Sequence, residues 1–531
     1  MKQLRRLIGI ACIALAFTAT RARAGDEKLS SDLKSPALNS NVEVIVQYRV
    51  HPTNVHHQRI VALGGILHSK MDHIRAGHYT VPASALKSLA DDPDVAFVTP
   101  NRPLQGTMDI PAQTVNAMAA VTAGYDGTGI GVAVIDSGIA NMPEFNGSNF
   151  GSRTVYQASF VGGTPVDLYG HGTHVAGLIG STGHGTVYTG IAPNVNLINL
   201  RVLDQTGSGT DASVIAAIDA AIQLKNRYNI RVINLSLGRP VFEPAAQDPL
   251  CQAVEAAWKA GIVVVVAAGN QGRNADTHGY GTIAAPGNDP YVITVGAMKD
   301  GHTSSRADDL IASYSSKGPT AFDHYVKPDI LAPGNLVVST MNTGAYLLKM
   351  YPQNQVANSE YTLSGTSMAT PIVSGAAVVL LQQNPALTPD QVKARLMKTA
   401  SKNFPVSSTA YDSTTGLCYT SYYDIFTVGA GYLDIAAALK NTEVATGSAL
   451  SPTAHRAPTG EVTVQNTGVS GSTAVWGTTA VWGTTAVWGT TAVWGTTAVW
   501  GTTAVWGTTA VWGTSSQDVT EPLDIAINGE N

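Results

Sequence analysis

The sequence predicts an α/β protein built on a mostly parallel sheet with helices on both faces, and three observations predict it. Short runs rich in Val, Ile, Leu and Ala recur at residues 130–135, 197–202, 232–235, 262–267 and 292–295. Helical patterns at residues 211–228 and 249–260, then at 366–383 and 389–399, lie between and after them. The strand runs are continuous rather than alternating, as expected of strands covered on both faces. Reactive groups in such a sheet gather at the C-terminal ends of its strands, which says where to look for chemistry.

The elements ahead of and behind this pattern are of other kinds. Residues 41–100 read as a small α+β unit with strands at 42–50, 79–82 and 95–98 and helices at 52–63 and 84–90. Residues 99–114, with Pro100, Pro103, Gly106 and Pro111, read as a linker. Six of the 13 His fall in the small unit (His51, His56, His57, His68, His73 and His78). A charge gain on acidification that loosens the unit is one reading of them, and solvated surface residues the other. Beyond residue 440 the α/β pattern stops. Residues 441–472 are rich in Thr, Ser, Gly and Pro, as a linker would be. Thr-Ala-Val-Trp-Gly-Thr then repeats seven times over residues 473–514, before a polar end at 515–531. A period of six puts every Trp on one side of a strand but scatters them around a helix, so strand or irregular structure is expected. A row of Trp suits contact with a cell surface or polymer, and a low-complexity expansion is the other reading.

Composition narrows the class. Charged residues are 13% of the 531 and hydrophobic residues 44%, which excludes a highly charged disordered chain. Three Cys exclude a disulfide-built scaffold; Cys251 and Cys418 are a candidate for a single bridge. Lys2, Arg5 and Arg6 precede an apolar run at residues 7–19, and Ala22-Arg23-Ala24 offers a cleavage site. This is the pattern of an export signal over residues 1–24, since 13 apolar residues fall short of the roughly 20 that span a bilayer. The expected location is secreted or extracellular. The net charge of −5 includes that basic segment, so the remainder is more acidic, and nucleic acid is not an expected partner.

Three segments each set a reactive side chain at an element boundary. Asp136 ends the run Val132-Ala133-Val134-Ile135; His171 opens a helix within Gly170-His171-Gly172-Thr173-His174; Ser367 opens another within Gly365-Thr366-Ser367-Met368-Ala369. An Asp, a His and a Ser so placed are what nucleophilic acyl transfer requires: a hydroxyl, a base for it, and a carboxylate to orient the base. Asn270, at the end of Ala268-Gly269-Asn270, has an amide able to donate to an oxyanion.

These segments, in the order Asp, His, Ser, resemble the subtilase family of serine proteases over about residues 124–440. The resemblance implies a subtilisin-like fold and a serine endopeptidase working through an acyl-enzyme. Asp136 would orient His171, His171 would act as general base and then acid, and Ser367 would be the nucleophile. The Asn270 amide and the Ser367 backbone N–H would form the oxyanion hole. Gly207-Ser208-Gly209 and Ser236-Leu237-Gly238, with Ala268 and Gly269, would line an extended polypeptide substrate by strand addition. His174 is expected to be structural. The related serine-carboxyl peptidase type uses Glu where this chain has His171. A different reading makes the repeat the functional part, with the protease domain secondary or inert.

The resemblance also gives the small unit a role, as a pro-domain that inhibits the enzyme until self-cleavage within residues 101–113. The expected organisation is signal (1–24), pro-domain with spacer and linker (25–105), catalytic domain (106–440), linker (441–472), repeats (473–514) and polar end (515–531). No cofactor is called for and no metal ligands are assigned. Structural calcium is common in the family, and Glu144 is one candidate carboxylate, but residues 181–189 contain no Asp, Asn or Glu to support a site there.

Overall fold

The computed structural model describes residues 28–33, 40–106, 113–147, 151–184, 188–456 (apart from 275, 302, 304, 413 and 414), 462–465, 469–470 and 521–530. The expected export segment, the Trp repeats and linker residues 107–112 lie outside the described residues. The chain divides into two compact units, Met1–Pro100 and Asn101–Asn531.

The first unit is a four-stranded antiparallel sheet of β1 (Asn41–Tyr48), β2 (Ile66–Met71), β3 (Ala76–Pro82) and β4 (Val95–Pro100), in the order β2-β3-β1-β4. Helices Asn54–Ala62 and Leu86–Asp91 contribute Ile60, Leu86 and Leu89 to a core with Val44, Val46, Tyr79 and Val98. β2 was not expected from the sequence. Most of its side chains are exposed or half-buried at the sheet edge, so Ile66 to Met71 carries no apolar run. The histidines are not uniformly solvated. His57 is buried with Nδ1 2.6 Å from the Tyr79 hydroxyl, and burial lowers its pKa.

In the second unit, eight strands form one sheet. Its path is β14 (Leu310–Ile311), β13 (Ile293–Lys299), β12 (Val263–Ala267), β10 (Ile230–Leu235), β6 (Gly131–Asp136), β8 (Asn196–Arg201) and β7 (Thr154–Ser159), with β15 (Ile330–Pro333) also on β13. All pairs are parallel except β13–β14. Every residue of β6 and β12 is buried, so the sheet is covered on both faces. Burying each Val or Ile there stabilises the fold by about 1.5–3 kcal/mol before chain entropy is counted. Helices His171–Gly180 and Thr366–Gln383 pack as one pair, and Asp211–Tyr228 and Pro249–Lys259 as another. Helix Asp211–Tyr228 starts where the Thr210 hydroxyl accepts from Ser213 N–H, and stops at Asn229 in the left-handed region (φ 47°).

Two stretches hold more structure than their composition suggests. Residues 441–472, expected as a linker, include the hairpin Thr453–Arg456 with Val462–Gln465, and Ala449 and Ala454 pack in a core with Phe426. The polar end includes helix Glu521–Asn528, whose Ile525, Ala526 and Ile527 are buried within the second unit. The candidate Cys251–Cys418 bridge is absent. Cys251 is buried in helix Pro249–Lys259 with Sγ 3.3 Å from Asn288 Oδ1, while Cys418 is exposed at the start of the second strand of a separate hairpin.

Candidate active site

Asp136 is the last residue of β6, and β12 leads through Ala268 and Gly269 to Asn270, so both issue from the C-terminal edge of the parallel sheet. His171 is the first residue of helix His171–Gly180, and Ser367 lies in the first turn of helix Thr366–Gln383. The packed helix pair thus delivers a His and a Ser to the same edge.

His171 Nδ1 and Asp136 Oδ1 are hydrogen-bond partners, both buried. Nδ1–H donates to the carboxylate, which leaves Nε2 as the ring's basic nitrogen. Ser137 N–H donates to the same Oδ1 at 2.7 Å. The helix approaches the Asp136 turn so closely that a Cβ on Gly172 would lie 2.1 Å from the Gly138 carbonyl oxygen, so only Gly fits there. The organiser is Asp167, which sequence reasoning missed. Its buried carboxylate accepts from Ser137 Oγ (2.9 Å), Tyr169 N (3.0 Å), Gly170 N (2.7 Å), Thr173 N (2.8 Å) and Thr173 Oγ1 (2.6 Å). It therefore ties the Asp136–Ser137 turn to the helix that begins with His171. Burial raises its pKa, while these donors oppose the shift. Asp167 stands four residues before His171, but a lone Asp before a helix carries no signal beyond a cap.

On the Ser367 side, the Asn270 side-chain oxygen Oδ1 accepts from Thr366 N (2.8 Å) and Thr366 Oγ1 (3.0 Å). The donor end of the amide, Nδ2, is therefore turned away from Thr366. The Thr366 hydroxyl also accepts from Gly269 N–H at 3.1 Å. Gly269 has φ 105°, a conformation that strains any residue with a side chain. The Ser367 carbonyl accepts from Ser236 Oγ at 2.5 Å, joining helix Thr366–Gln383 to the end of β10.

The segments expected to flank a substrate do flank a strand. β5 (Pro103–Gly106) lies antiparallel between β9 (Ser208–Thr210) and β11 (Leu237–Gly238). Leu104 is paired with Gly209, Gln105 with Ser208 and Gly238, and Gly106 with Leu237. Gly207 precedes β9 with φ 79°. The linker reading of residues 99–114 missed β5, because its pairing partners are distant in sequence.

His174 lies on the side away from this chemistry. It is buried, its Nε2 donates to the Tyr361 carbonyl at 2.9 Å, and burial pushes its pKa down to about 3. Glu144 is buried too, with Oε1 accepting from Ser359 Oγ at 2.6 Å. Among the described residues, the one set of three ligating side chains close enough to share a metal ion is Glu43, His68 and His78, in the first unit.

A parallel sheet with Asp, His and Ser at one edge and a strand-accepting cleft beside them defines a protease fold of the subtilisin type. Comparison with known proteins agrees: residues 127–418 match the profile described as Subtilase family, Peptidase_S8. The chain is 41% identical over 341 residues to serine protease AprX of Bacillus subtilis, covering 62% of this chain and 75% of that one. It is 34% identical over 346 residues to subtilisin E of the same species, covering 64% and 78%. Among solved structures it resembles fervidolysin from Fervidobacterium pennivorans, described as a keratinolytic enzyme related to subtilisin. That match has a TM-score of 0.59 at 20% identity, and covers 79% of this chain and 64% of the other. The chain belongs to the subtilase family and is a subtilisin-like serine endopeptidase.

Proposed function

We propose that Ser367 attacks the peptide carbonyl, with His171 as general base and then general acid and Asp136 holding its ring. The buried Asp136–His171 pair carries this reading, since it leaves Nε2 as the basic nitrogen on the edge where Ser367 lies. Asn270 Nδ2 and the Ser367 backbone N–H stabilise the oxyanion. The fixing of the other end of the Asn270 amide by Thr366 supports that role. Substrates bind as a strand between Gly207-Ser208-Gly209 and Ser236-Leu237-Gly238, with Ala268 and Gly269 at the floor. This chemistry requires no cofactor.

The enzyme is made as a zymogen, with the first unit as its inhibitor, and is exported. The pairing of β5 with β9 and β11 supports this, because the junction occupies the position a substrate strand would take. The last pair is Gly106 with Leu237, and Ser236, the residue before Leu237, is bonded to the Ser367 carbonyl. The next residue after Gly106 is Thr107, so the bond expected to be cut is Thr107–Met108. For export, the sequence pattern of residues 1–24 is the support. Among the described residues no helix is long and apolar enough to cross a membrane, and one relative, at 35% identity, carries the name extracellular serine proteinase.

Purified Ser367→Ala protein tests both steps: it should hydrolyse no casein and keep the junction intact. Cutting at Thr107–Met108 in that variant would assign the processing to another protease.

A further inference from the structure

Arg102, immediately ahead of β5, is buried, and its guanidinium forks onto Glu243 with Nη1–Oε1 2.6 Å and Nη2–Oε2 2.7 Å. The Phe242 ring centroid lies 4.7 Å from its guanidinium carbon, and Asp211 Oδ2 is 3.9 Å from Nη1. The main chain is held as well. The Arg102 carbonyl accepts from Asp211 N–H at 2.8 Å, and the Asn101 side-chain oxygen accepts from Ala212 N–H at 2.6 Å. These are the first two N–H groups of helix Asp211–Tyr228, which have no partner within the helix itself.

The groups around this pocket carry more negative than positive charge. Asp211, Glu243 and Asp248 are three buried carboxylates. Arg239 serves two of them, with Nε 3.0 Å from Asp211 and Nη2 2.8 Å from Asp248. Glu243 is the carboxylate that Arg102 takes. Arg102 and Arg239 are two cations against three carboxylates, so the pocket favours a cationic side chain at this position over a neutral or acidic one. Burial already raises the Asp211 pKa to about 6 against the pull of Arg239.

We infer that Glu243, Phe242 and Asp211 form a distal substrate subsite selecting a cationic side chain, Arg above Lys, on the residue just ahead of the strand-forming segment. Counted from the proposed Thr107–Met108 bond, this is the sixth residue on the amino side, so the inference rests on the endopeptidase reading above. The junction is the first peptide to fill the pocket, and polypeptide substrates meet the same pocket once it has left. Arg is favoured because its planar fork matches a carboxylate and its flat face stacks on Phe, whereas an ammonium offers a point charge.

The test uses the processed enzyme and internally quenched decapeptides that differ only at that sixth position, bearing Arg, Lys, Ala or Glu. A tetrapeptide anilide too short to reach the pocket is the fifth substrate. The expected kcat/KM for Arg exceeds that for Ala by about tenfold or more, with Lys between them and Glu below Ala. In Glu243→Gln the Arg-to-Ala ratio falls toward one. Equal rates on all four decapeptides, from an enzyme that cuts the tetrapeptide, would overturn the subsite and leave the endopeptidase reading standing. Failure to cut any of the five overturns both. Should the Gln variant not fold, the wild-type series alone decides.

Discussion

Asp167 shows how much of this active site rests on a residue that does no chemistry. Its carboxylate collects five donors from the Asp136 turn and the His171 helix. An amide in its place keeps one acceptor oxygen and turns the other end into a donor facing donors. Asp167→Asn is therefore expected to cost about 2–4 kcal/mol of stability, measured as a lower Tm, and to depress kcat more than KM. A variant with unchanged Tm would refute the organising role. His174 makes a second prediction at this scale. Its folded pKa of about 3 lies below the ordinary 6.5, so between those values the unfolded chain binds the extra proton. Stability is complete above pH 6.5 and falls on acidification, by at most about 1.4 kcal/mol per pH unit. Denaturant titrations from pH 7 to 5 should show this slope in the wild type and a smaller one in His174→Gln.

At the scale of elements, the start of helix Thr366–Gln383 and its neighbours are braced by a segment more than 160 residues downstream. Ser364 N–H donates to the Ala526 carbonyl at 3.0 Å, and Asn335 Nδ2 donates to the Glu530 carbonyl at 2.7 Å. The Glu530 carboxylate accepts from Ser313 N (2.8 Å) and Oγ (2.5 Å). Deleting residues 521–531 is expected to lower Tm by several degrees, because it uncovers apolar surface and orphans these donors. An unchanged Tm would show that the packing contributes nothing to stability. The same element marks the limit of what the sequence made legible. Helices 211–228 and 389–399 were readable to the residue, since their caps and periodicity are local, and helix 366–383 through the Gly-Thr-Ser motif at its start. β5, β7 and the 521–528 helix were not, because each is defined by distant partners rather than by its own pattern. Among the site residues, Asp136, His171, Ser367 and Asn270 stood out through motif and element boundary. Asp167, Thr366 and Glu243 act through contacts that no spacing announces.

For the molecule as a whole, the two units have different logic. The second is a parallel sheet whose carboxyl edge assembles side chains from four separate segments of chain. The first is an antiparallel sheet with its own core. Between them in sequence runs the junction, held at Arg102 by the second unit and paired there as a strand. On the proposed zymogen reading, this is a cleft filled by the enzyme's own junction until the junction is cut. Everything in the account depends on Ser367 being the nucleophile. The most direct measurement treats the processed protein with a serine-directed fluorophosphonate and maps the adduct by mass spectrometry. The account predicts one adduct per chain, on the peptide containing Ser367, with parallel loss of casein hydrolysis, and none in Ser367→Ala or His171→Ala. An adduct on another residue, or hydrolysis that persists with Ser367 fully labelled, would contradict it.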